Sequence, residues 1–280
     1  MQKDSLALVE EVKKVIGEYS FALTLRQIYY QLVARQIIPN LQKYYIKLSR
    51  LCVVARDESL LPEEAFADRL REIQKPSSWA DLSDFGETVK SAYRKDKWIN
   101  QDNYIEVWTE KDALRGVISP ITDEWDIGLL VVRGQVSRTA IYEAYQRYRE
   151  KEEKDKECYL FYFGDFDPSG LSIFNSLRER IGSFGDGLLS MNFERIALTP
   201  EQINEYKLPQ NPAKEKDPNF NRFTAEYGNN VVELDSLPPD VLRDLVEDCI
   251  KENLDTKKLG QVLKIEKEER EELSNFLETL

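Results

Sequence analysis

The sequence predicts an α/β protein in which a helical domain precedes a mainly parallel sheet with C-terminal helices. From residue 104 onward, short apolar runs alternate with amphipathic helical patterns, the order expected for parallel strands joined by crossover helices. One run, Tyr159–Phe163, has no polar face, which is typical of a central strand buried on both sides. Before residue 100 the apolar spacing is helical. We therefore predict two domains, over residues 1–100 and 101–280.

The first domain is predicted to contain four short helices. Thr24 is a suitable N-cap for the second helix, because its hydroxyl can accept a hydrogen bond from a free backbone N–H of the first turn. Short helices with a basic segment are typical of helix-turn-helix or winged-helix modules, and a plain helical bundle with solvated charges is the alternative. The predicted helices span Ser5–Glu18, Leu25–Arg35, Leu41–Ala55 and Glu63–Ile73.

The second domain is predicted to alternate strands and helices. Gln74–Asn103 shows little periodicity, and the domain boundary is placed near it. Leu198–Gly228, rich in proline and poor in apolar residues, is predicted to be a surface excursion. The predicted strands span Tyr104–Trp108, Gly128–Arg133, Cys158–Phe163, Met191–Ala197 and Val231–Leu234. The predicted helices span Lys111–Ile118, Ser137–Lys151, Leu171–Ile181, Pro238–Glu252 and Leu263–Leu280.

Composition excludes several classes of protein. The 280 residues include no histidine, which excludes a Ser-His-Asp triad, a histidine general base and an HExxH zinc site. Neither the P-loop nor the dinucleotide-binding glycine pattern is present. No apolar run approaches the roughly 18 residues of a membrane span, and the first residues are not those of a signal peptide. Three distant cysteines predict buried free thiols in a reducing cytoplasm.

Basic residues are concentrated near the start of the chain. The net charge of −12 argues against a nucleic-acid partner, but residues 1–100 contain 16 Lys and Arg against 14 Asp and Glu. The segment Tyr19–Arg56 contains no acidic residue. An acid-free basic segment in an acidic protein predicts a phosphate-facing surface. We predict that DNA contacts Arg35, Lys43, Lys47, Arg50 and Arg56.

Three acidic residues follow predicted strands. Asp165 and Asp167 come just after Tyr159–Phe163, and Glu110 stands where an earlier strand gives way to a helix. Ligands of open α/β sheets bind at the carboxyl ends of the strands, and hard cations prefer carboxylate oxygens. The sequence therefore predicts a Mg²⁺ (or Mn²⁺) site on Glu110, Asp165 and Asp167. The alternative is that Asp167-Pro-Ser-Gly is only a solvated turn.

Two adjacent tyrosines lie on the second predicted helix. Its apolar stripe includes Leu25, Ile28 and Tyr29, whereas a helical wheel places Tyr30 off that stripe, one turn after Arg26. We therefore expect Tyr29 to be buried and Tyr30 to be accessible beside a cation. For Tyr30 the alternative is an exposed or interface tyrosine without a chemical role.

The segment Thr24-Leu-Arg-Gln-Ile-Tyr-Tyr resembles the catalytic motif of the topoisomerase VI A subunit and the meiotic double-strand-break proteins. That family joins a winged-helix tyrosine domain to a Toprim domain, which is Rossmann-like, in this order. Here Glu110, Val132-Arg-Gly-Gln and Asp165-x-Asp167-Pro-x-Gly170 follow in matching order. Short bacterial and phage members have segments similar to residues 198–203, 208–214 and 232–239. The resemblance spans about Thr24 to Cys249.

The resemblance implies DNA cleavage by tyrosine transesterification. Tyr30 would attack a DNA phosphorus and leave a 5′-phosphotyrosyl link, and Arg26 would stabilise the phenolate or the phosphate. Glu110, Asp165 and Asp167 would bind the metal. In this family the tyrosine of one subunit works with the acids of the other, which implies a homodimer. Strand passage would need an ATPase or other partner subunit, because the chain has no ATPase-type motif.

Two other functions are compatible with the same residues. One is that of a metal-dependent nuclease in which water replaces Tyr30 as the nucleophile. The other is that of a non-catalytic DNA-binding subunit of a larger complex. A covalent protein–DNA adduct would indicate the tyrosine transesterase. Cleavage that survives Tyr30→Phe would indicate the nuclease, and DNA binding without cleavage would indicate the non-catalytic subunit.

Overall fold

Four parallel strands form the central sheet of the computed structural model, which describes residues 3–67, 76–184 and 190–278. The strands are β1 (Asn103–Thr109), β2 (Gly128–Val131), β3 (Glu157–Phe163) and β4 (Met191–Ala197). Their order across the sheet is β2-β1-β3-β4. The predicted α/β class and parallel sheet are confirmed, and each of these strands ends within two residues of its predicted limits.

Helices cover both faces of this sheet. They are α1 (Lys3–Gly17), α2 (Leu25–Ala34), α3 (Gln42–Asp57), α4 (Leu82–Ala92), α5 (Arg115–Trp125), α6 (Arg138–Glu152), α7 (Pro168–Ser183), α8 (Pro200–Glu205), α9 (Phe220–Tyr227), α10 (Pro239–Glu252) and α11 (Thr256–Leu277). Helices α5 and α10 share an apolar cluster with Phe161 and Phe163 of β3. Helices α6 and α7 share another with Leu160 and Tyr162. Because successive strand residues point to opposite faces, burial on both sides explains the uninterrupted apolar run of β3.

Helices α1, α2 and α3 form a third apolar cluster, in which Val12, Ile28 and Leu48 are fully buried. The predicted N-cap at Thr24 is confirmed as a capping box. The Thr24 hydroxyl accepts a hydrogen bond from the Gln27 backbone N–H, and the Gln27 side-chain oxygen accepts one from the Thr24 N–H. The first three predicted helices are therefore present with small shifts at their ends.

The predicted helix Glu63–Ile73 is wrong over its described part. Glu63–Ala65 forms a single 3-10 turn, after which Phe66 pairs with Leu23 as an isolated parallel bridge. Hydrogen bonds from Leu23 N to Ala65 O and from Ala67 N to Leu23 O keep this backbone extended. Residues 68–73 of the prediction lie outside the described residues. Within residues 3–67 the described backbone shows this single bridge and no β-strand. The winged-helix assignment therefore stays a prediction.

The segment Gln74–Asn103, where the domain boundary was predicted, contains helix α4. Asp81 caps this helix by accepting a hydrogen bond from Asp84 N at 2.9 Å. Helix α4 packs against α11, far along the sequence, and Trp98 is buried in the cluster beneath α5 and α10. The helix is amphipathic and has a local cap, so the sequence did carry a signal for it that was missed. The domain boundary near residue 100 stays a prediction.

The segment Leu198–Gly228 is attached to the core rather than standing away from it. Its few apolar residues are well spaced, and Leu198, Ile203, Leu208 and Phe223 are all buried beneath helices α8 and α9. The strand predicted at Val231–Leu234 is replaced by the two-residue strand β6 (Asn230–Val231), which pairs with β5 (Asn211–Pro212). Leu234–Ser236 is instead a 3-10 turn.

Cys52, Cys158 and Cys249 are buried and free, as predicted. Burial raises the pKa of the Cys52 thiol to about 11 and that of Cys158 to about 12. Over the described residues, the helices lack the combination of length and apolar character that crossing a membrane requires.

Candidate functional site

The three predicted acids lie at the carboxyl ends of β1 and β3, which are neighbours in the sheet. Thr109 and Phe163 are register partners, and the next residue, Glu110, donates its backbone N–H to Phe163 O at 3.0 Å. Asp165 follows β3 by two residues. After Glu110 the predicted helix Lys111–Ile118 begins instead as a 3-10 turn, Asp112–Leu114, and α5 starts at Arg115. The sheet register therefore brings Glu110 and Asp165 together.

Glu110 lies in a crowded, largely buried position. Its Oε2 accepts a hydrogen bond from Asp165 N at 3.3 Å and lies 3.5 Å from the Tyr162 hydroxyl. Burial and the neighbouring charges of Asp165 and Asp167 raise the pKa of Glu110 to about 7. Carboxylates held this close repel one another unless a cation compensates them.

Asp167 has a structural role as well as its position near the other acids. Its Oδ1 accepts a hydrogen bond from Gly170 N at 2.6 Å and so caps α7. A Cβ at Gly170 would clash with the backbone carbonyl oxygen of Asp165, and one at Gly164 would clash with the Tyr162 ring. The turn chemistry of Asp167-Pro-Ser-Gly is therefore present, and the glycine allows α7 to begin against the acids.

Lys111, which the sequence reasoning did not single out, is surrounded by three carboxylates. Its Nζ lies 2.9 Å from Asp165 Oδ1, 2.9 Å from Glu233 Oε2 and 2.7 Å from Asp235 Oδ2. Burial alone would lower the pKa of Lys111. The negative charges of Asp235 and Asp165 outweigh that effect, so the pKa of Lys111 is raised. Burial likewise raises the pKa of Asp165, although Lys111 opposes that effect. The side-chain ammonium thus offsets part of the negative charge of these three carboxylates.

Arg26 connects the first cluster of helices to the same acids. Its Nε lies 3.2 Å from Asp235 Oδ2, and its guanidinium also forms an ion pair with Glu233. The same guanidinium lies over the ring of Tyr30, 5.9 Å from its centroid. Helix α2 packs on the turn Leu234–Ser236. Arg26 is therefore beside Tyr30, as predicted, and it is already paired with two carboxylates.

The expected difference in exposure between the two tyrosines is not observed. Tyr29 and Tyr30 are each only 4% exposed. The Tyr29 hydroxyl lies 3.2 Å from Asn40 Oδ1. Helix α2, which carries Tyr30, packs on the distant turn Leu234–Ser236, a contact that a helical wheel does not take into account. Burial raises the pKa of Tyr30, while the nearby charges of Arg26 and Lys111 oppose that shift. Accessibility therefore does not distinguish the two phenols.

Two adjoining cavities open at this junction. One, of about 580 Å³, is lined by Lys111, Asp165, Asp167 and Asp235. The other, of about 400 Å³, is lined by Tyr29 and Tyr30. Four residues line both cavities: Arg26, Asn211, Lys214 and Glu233. A single chain therefore places the tyrosine pocket next to the acidic pocket.

The donor chemistry at this edge fits a hard divalent cation. The oxygens belong to carboxylates, and Asp235 Oδ1 is buried without a hydrogen-bond partner. As the described side chains stand, however, no three acidic, cysteine or histidine groups converge to hold a metal. The Lys111 ammonium lies on Asp165, and Asp167 caps α7. A metal on Glu110, Asp165 and Asp167 would therefore have to displace Lys111 from Asp165.

The predicted DNA-binding residues fall into two groups. Arg35 forms an ion pair with Glu18, and Arg56 forms one with Glu63 at 3.0 Å. Both acids lie outside the acid-free segment, so local sequence did not reveal these pairs, and the two arginines are not the free cations that the prediction assumed. Three others are exposed on α3 without an acidic partner among the described residues: Lys43, Lys47 and Arg50.

Arg195 of β4 is a second residue that the sequence reasoning missed. It is largely buried, and it donates hydrogen bonds to the backbone oxygens of Gly164, at 3.0 Å, and Asp165. These contacts fix the chain where it leaves β3. The acids Glu233 and Asp235 were also missed as site residues, although they lie in residues 232–239, one of the segments that carry the family resemblance. The sequence signal that could have identified Glu233 and Asp235 is their position as charged residues between apolar ones in residues 232–239.

Comparison with protein-family models, curated proteins and solved structures gave no match to this chain.

Proposed function

We propose that this protein is a metal-dependent DNA-cleaving protein in which Tyr30 attacks the phosphodiester, as in the topoisomerase VI A family that its sequence resembles. The observation that supports this most is the position of Arg26, which lies over Tyr30 and is paired with Asp235. A phenol, a cation and acids at the ends of parallel strands are the groups that such a transesterification requires. The adjoining cavities offer space for a nucleic-acid strand that contacts both Tyr30 and the acids.

In the proposed reaction, the Tyr30 oxygen forms a bond to phosphorus, and the bond from phosphorus to the 3′ oxygen breaks. The phenol proton is lost, and the leaving oxygen gains a proton to become a 3′ hydroxyl. Arg26 would stabilise the phenolate or the phosphate charge, which requires it to exchange a carboxylate partner for the substrate. A divalent cation, bound on Glu110, Asp165 and Asp167, would supply positive charge for the phosphate.

Water is the alternative nucleophile, and one observation favours it. Tyr30 is only 4% exposed, so attack by its hydroxyl requires α2 to move relative to the turn Leu234–Ser236. In a hydrolytic reaction the same acids and metal would act without that movement. Both versions predict cleavage that depends on Asp165.

The adjacency of Arg26 and Asp235 within one chain also affects the proposed assembly. The resemblance implies that the tyrosine of one subunit works with the acids of another, whereas here both halves of the site come from one chain. A homodimer and an ATPase or other partner subunit therefore remain predictions. Light scattering of the purified chain measures the first directly.

End-labelled duplex DNA tests the proposal. Incubation with Mg²⁺ or Mn²⁺, followed by a denaturing gel with and without protease, distinguishes a protein-linked end from a free end. We expect a labelled adduct that requires both metal and Asp165. If the wild type binds DNA but does not cleave it, the function that remains is that of a non-catalytic DNA-binding subunit.

A further inference from the structure

Two arginines other than Arg26 converge near the carboxyl end of β2. Arg133, in the turn after β2, lies 2.8 Å from Asp112 Oδ1, and Arg115, the first residue of α5, lies 3.5 Å from the same oxygen. Their side chains are 61% and 53% exposed. One carboxylate therefore faces two guanidinium groups, and a positive charge is left over in a strongly acidic part of the chain.

This pair lies beside the acidic pocket. Val132 N donates a hydrogen bond to Thr109 O at 2.9 Å, so Arg133 comes one residue after the point where β2 pairs with the end of β1. Glu110 is the next residue on that neighbouring strand. Asp112, which both arginines contact, lines the same cavity as Asp165. The two guanidinium groups therefore contact a residue of the wall of the pocket in which a phosphate would react, without lining that pocket themselves.

The turn that carries Arg133 is fixed at both ends. Val132 and Val136 are buried, and Arg180 donates a hydrogen bond from Nη1 to Val136 O at 2.6 Å. Arg133 and Gly134 both have positive φ, 45° and 86°, which is typical of a tight turn. The position of the arginine is thus set by the fold, which lowers the entropic cost of binding a ligand.

We propose that Arg115 and Arg133 form a phosphate-binding subsite that holds the DNA backbone next to the phosphate cleaved at the acids. Planar guanidinium groups match the oxygens of a phosphodiester, and Asp112 holds the pair in place until the phosphate replaces it. The inference rests on the proposed function, since it takes DNA as the substrate. It adds a DNA-binding position on the sheet domain to those predicted on α3.

Fluorescence anisotropy of a short labelled duplex, in EDTA to prevent cleavage, measures this contribution. We expect the double variant Arg115→Gln/Arg133→Gln to bind at least about tenfold more weakly, as for the removal of one charge-assisted hydrogen bond. Over roughly 50 to 200 mM salt, the slope of log affinity against log salt should fall by about 0.9 for each phosphate that the variant no longer neutralises.

The matched control removes the same charge from elsewhere. Lys257→Gln/Lys264→Gln changes two exposed lysines of α11, a helix that begins beside the opposite end of β1, where Gln101 Nε2 donates to Asp255 O. This control should keep the slope of the wild type to within about 0.4, less than half of the change expected for one phosphate. Circular dichroism and thermal melting establish that both double variants are folded.

A third variant should change DNA affinity in the opposite direction. Asp112→Asn removes the carboxylate that competes with phosphate, so it should strengthen DNA binding, whereas a purely structural role for the Asp112 pair predicts no increase in affinity. If the arginine variant matches its lysine control while the wild type binds DNA, the subsite is wrong and the proposed function stands. If the wild type does not bind DNA at all, both are wrong.

Discussion

Arg26 Nε lies 3.2 Å from Asp235 Oδ2, and this contact joins the cluster of α1, α2 and α3 to the edge of the sheet. Asp235 is fully buried, and it also accepts the Lys111 ammonium at 2.7 Å. Two cations from different parts of the chain therefore share one buried carboxylate. The relative position of the tyrosine helix and the sheet is set here by charge as well as by apolar packing.

Asp235→Asn should therefore destabilise the protein. It leaves Lys111 and Arg26 with fewer counter-charges in a buried setting, and breaking a buried pair in this way costs about 3–5 kcal/mol. Urea unfolding of the variant measures the change in the free energy of unfolding. Asp240→Asn, at an exposed position on α10, is the matched control and should be near neutral. An equal, small effect of both substitutions would show that the pairing contributes little.

The acids at the strand ends predict a metal dependence. Calorimetry should detect Mg²⁺ or Mn²⁺ binding to the wild type and at least about tenfold weaker binding to Asp165→Ala, because that variant lacks one charged ligand. Asp123→Ala, exposed on α5, changes the net charge equally and should keep the wild-type affinity. Equal affinity in the wild type and both variants would remove the site from Asp165.

The buried thiols predict how stability depends on pH. Burial raises the pKa of Cys158 from an ordinary value near 9 to about 12. Above pH 9 the thiol of the unfolded chain ionises while that of the folded chain stays protonated, so the free energy of unfolding falls between about pH 9 and 12. Urea unfolding of the wild type and Cys158→Ala at about pH 8 and about pH 10 isolates this contribution. The difference between the two proteins should shrink at the higher pH, and a constant difference would contradict the burial argument.

The free and paired basic residues near the start of the chain should differ in their effect on DNA. Lys47 and Arg50 are exposed on α3, whereas Arg35 is held by Glu18. Lys47→Gln/Arg50→Gln should lower the salt slope of DNA affinity by about 0.9 for each phosphate left without its cation. Arg35→Gln should leave that slope unchanged and mainly remove the ion pair. The opposite ranking would place the DNA on another face of the helices.

Most of the fold was predictable, because the strong signals were local. Apolar runs located β1 to β4, and the Thr24 cap located α2. Sequence failed where a distant contact decides the outcome: α2 packs on the turn Leu234–Ser236, and Tyr30 is buried although a helical wheel places it off the apolar stripe. The same limit applies to the site. Glu110 and Asp165 were found because they end strands, while Lys111 and Asp235 acquire their roles only from the pairing between them.

Tyr30, rather than Tyr29, is predicted to form any covalent bond to DNA. Both rings are buried, so the argument rests on their surroundings: Arg26 lies over the ring of Tyr30, whereas the Tyr29 hydroxyl faces Asn40. Electrostatic interaction with Arg26 and Lys111 favours a Tyr30 phenolate, although burial raises the pKa of the phenol overall. Arg26 favours ionisation of both phenols, and Lys111 adds to this effect at Tyr30.

Tyr30→Phe should therefore abolish the protein–DNA adduct on a denaturing gel while metal affinity and the melting temperature stay near those of the wild type, because the ring is retained. Tyr29→Phe is the matched control, with the same atom removed from the neighbouring residue, and it should keep the adduct. Loss of the adduct in Tyr29→Phe alone would reverse the assignment. If both variants cleave DNA and leave free ends, as the wild type then also must, water is the nucleophile and Tyr30 serves only to pack α2 against the acidic edge of the sheet.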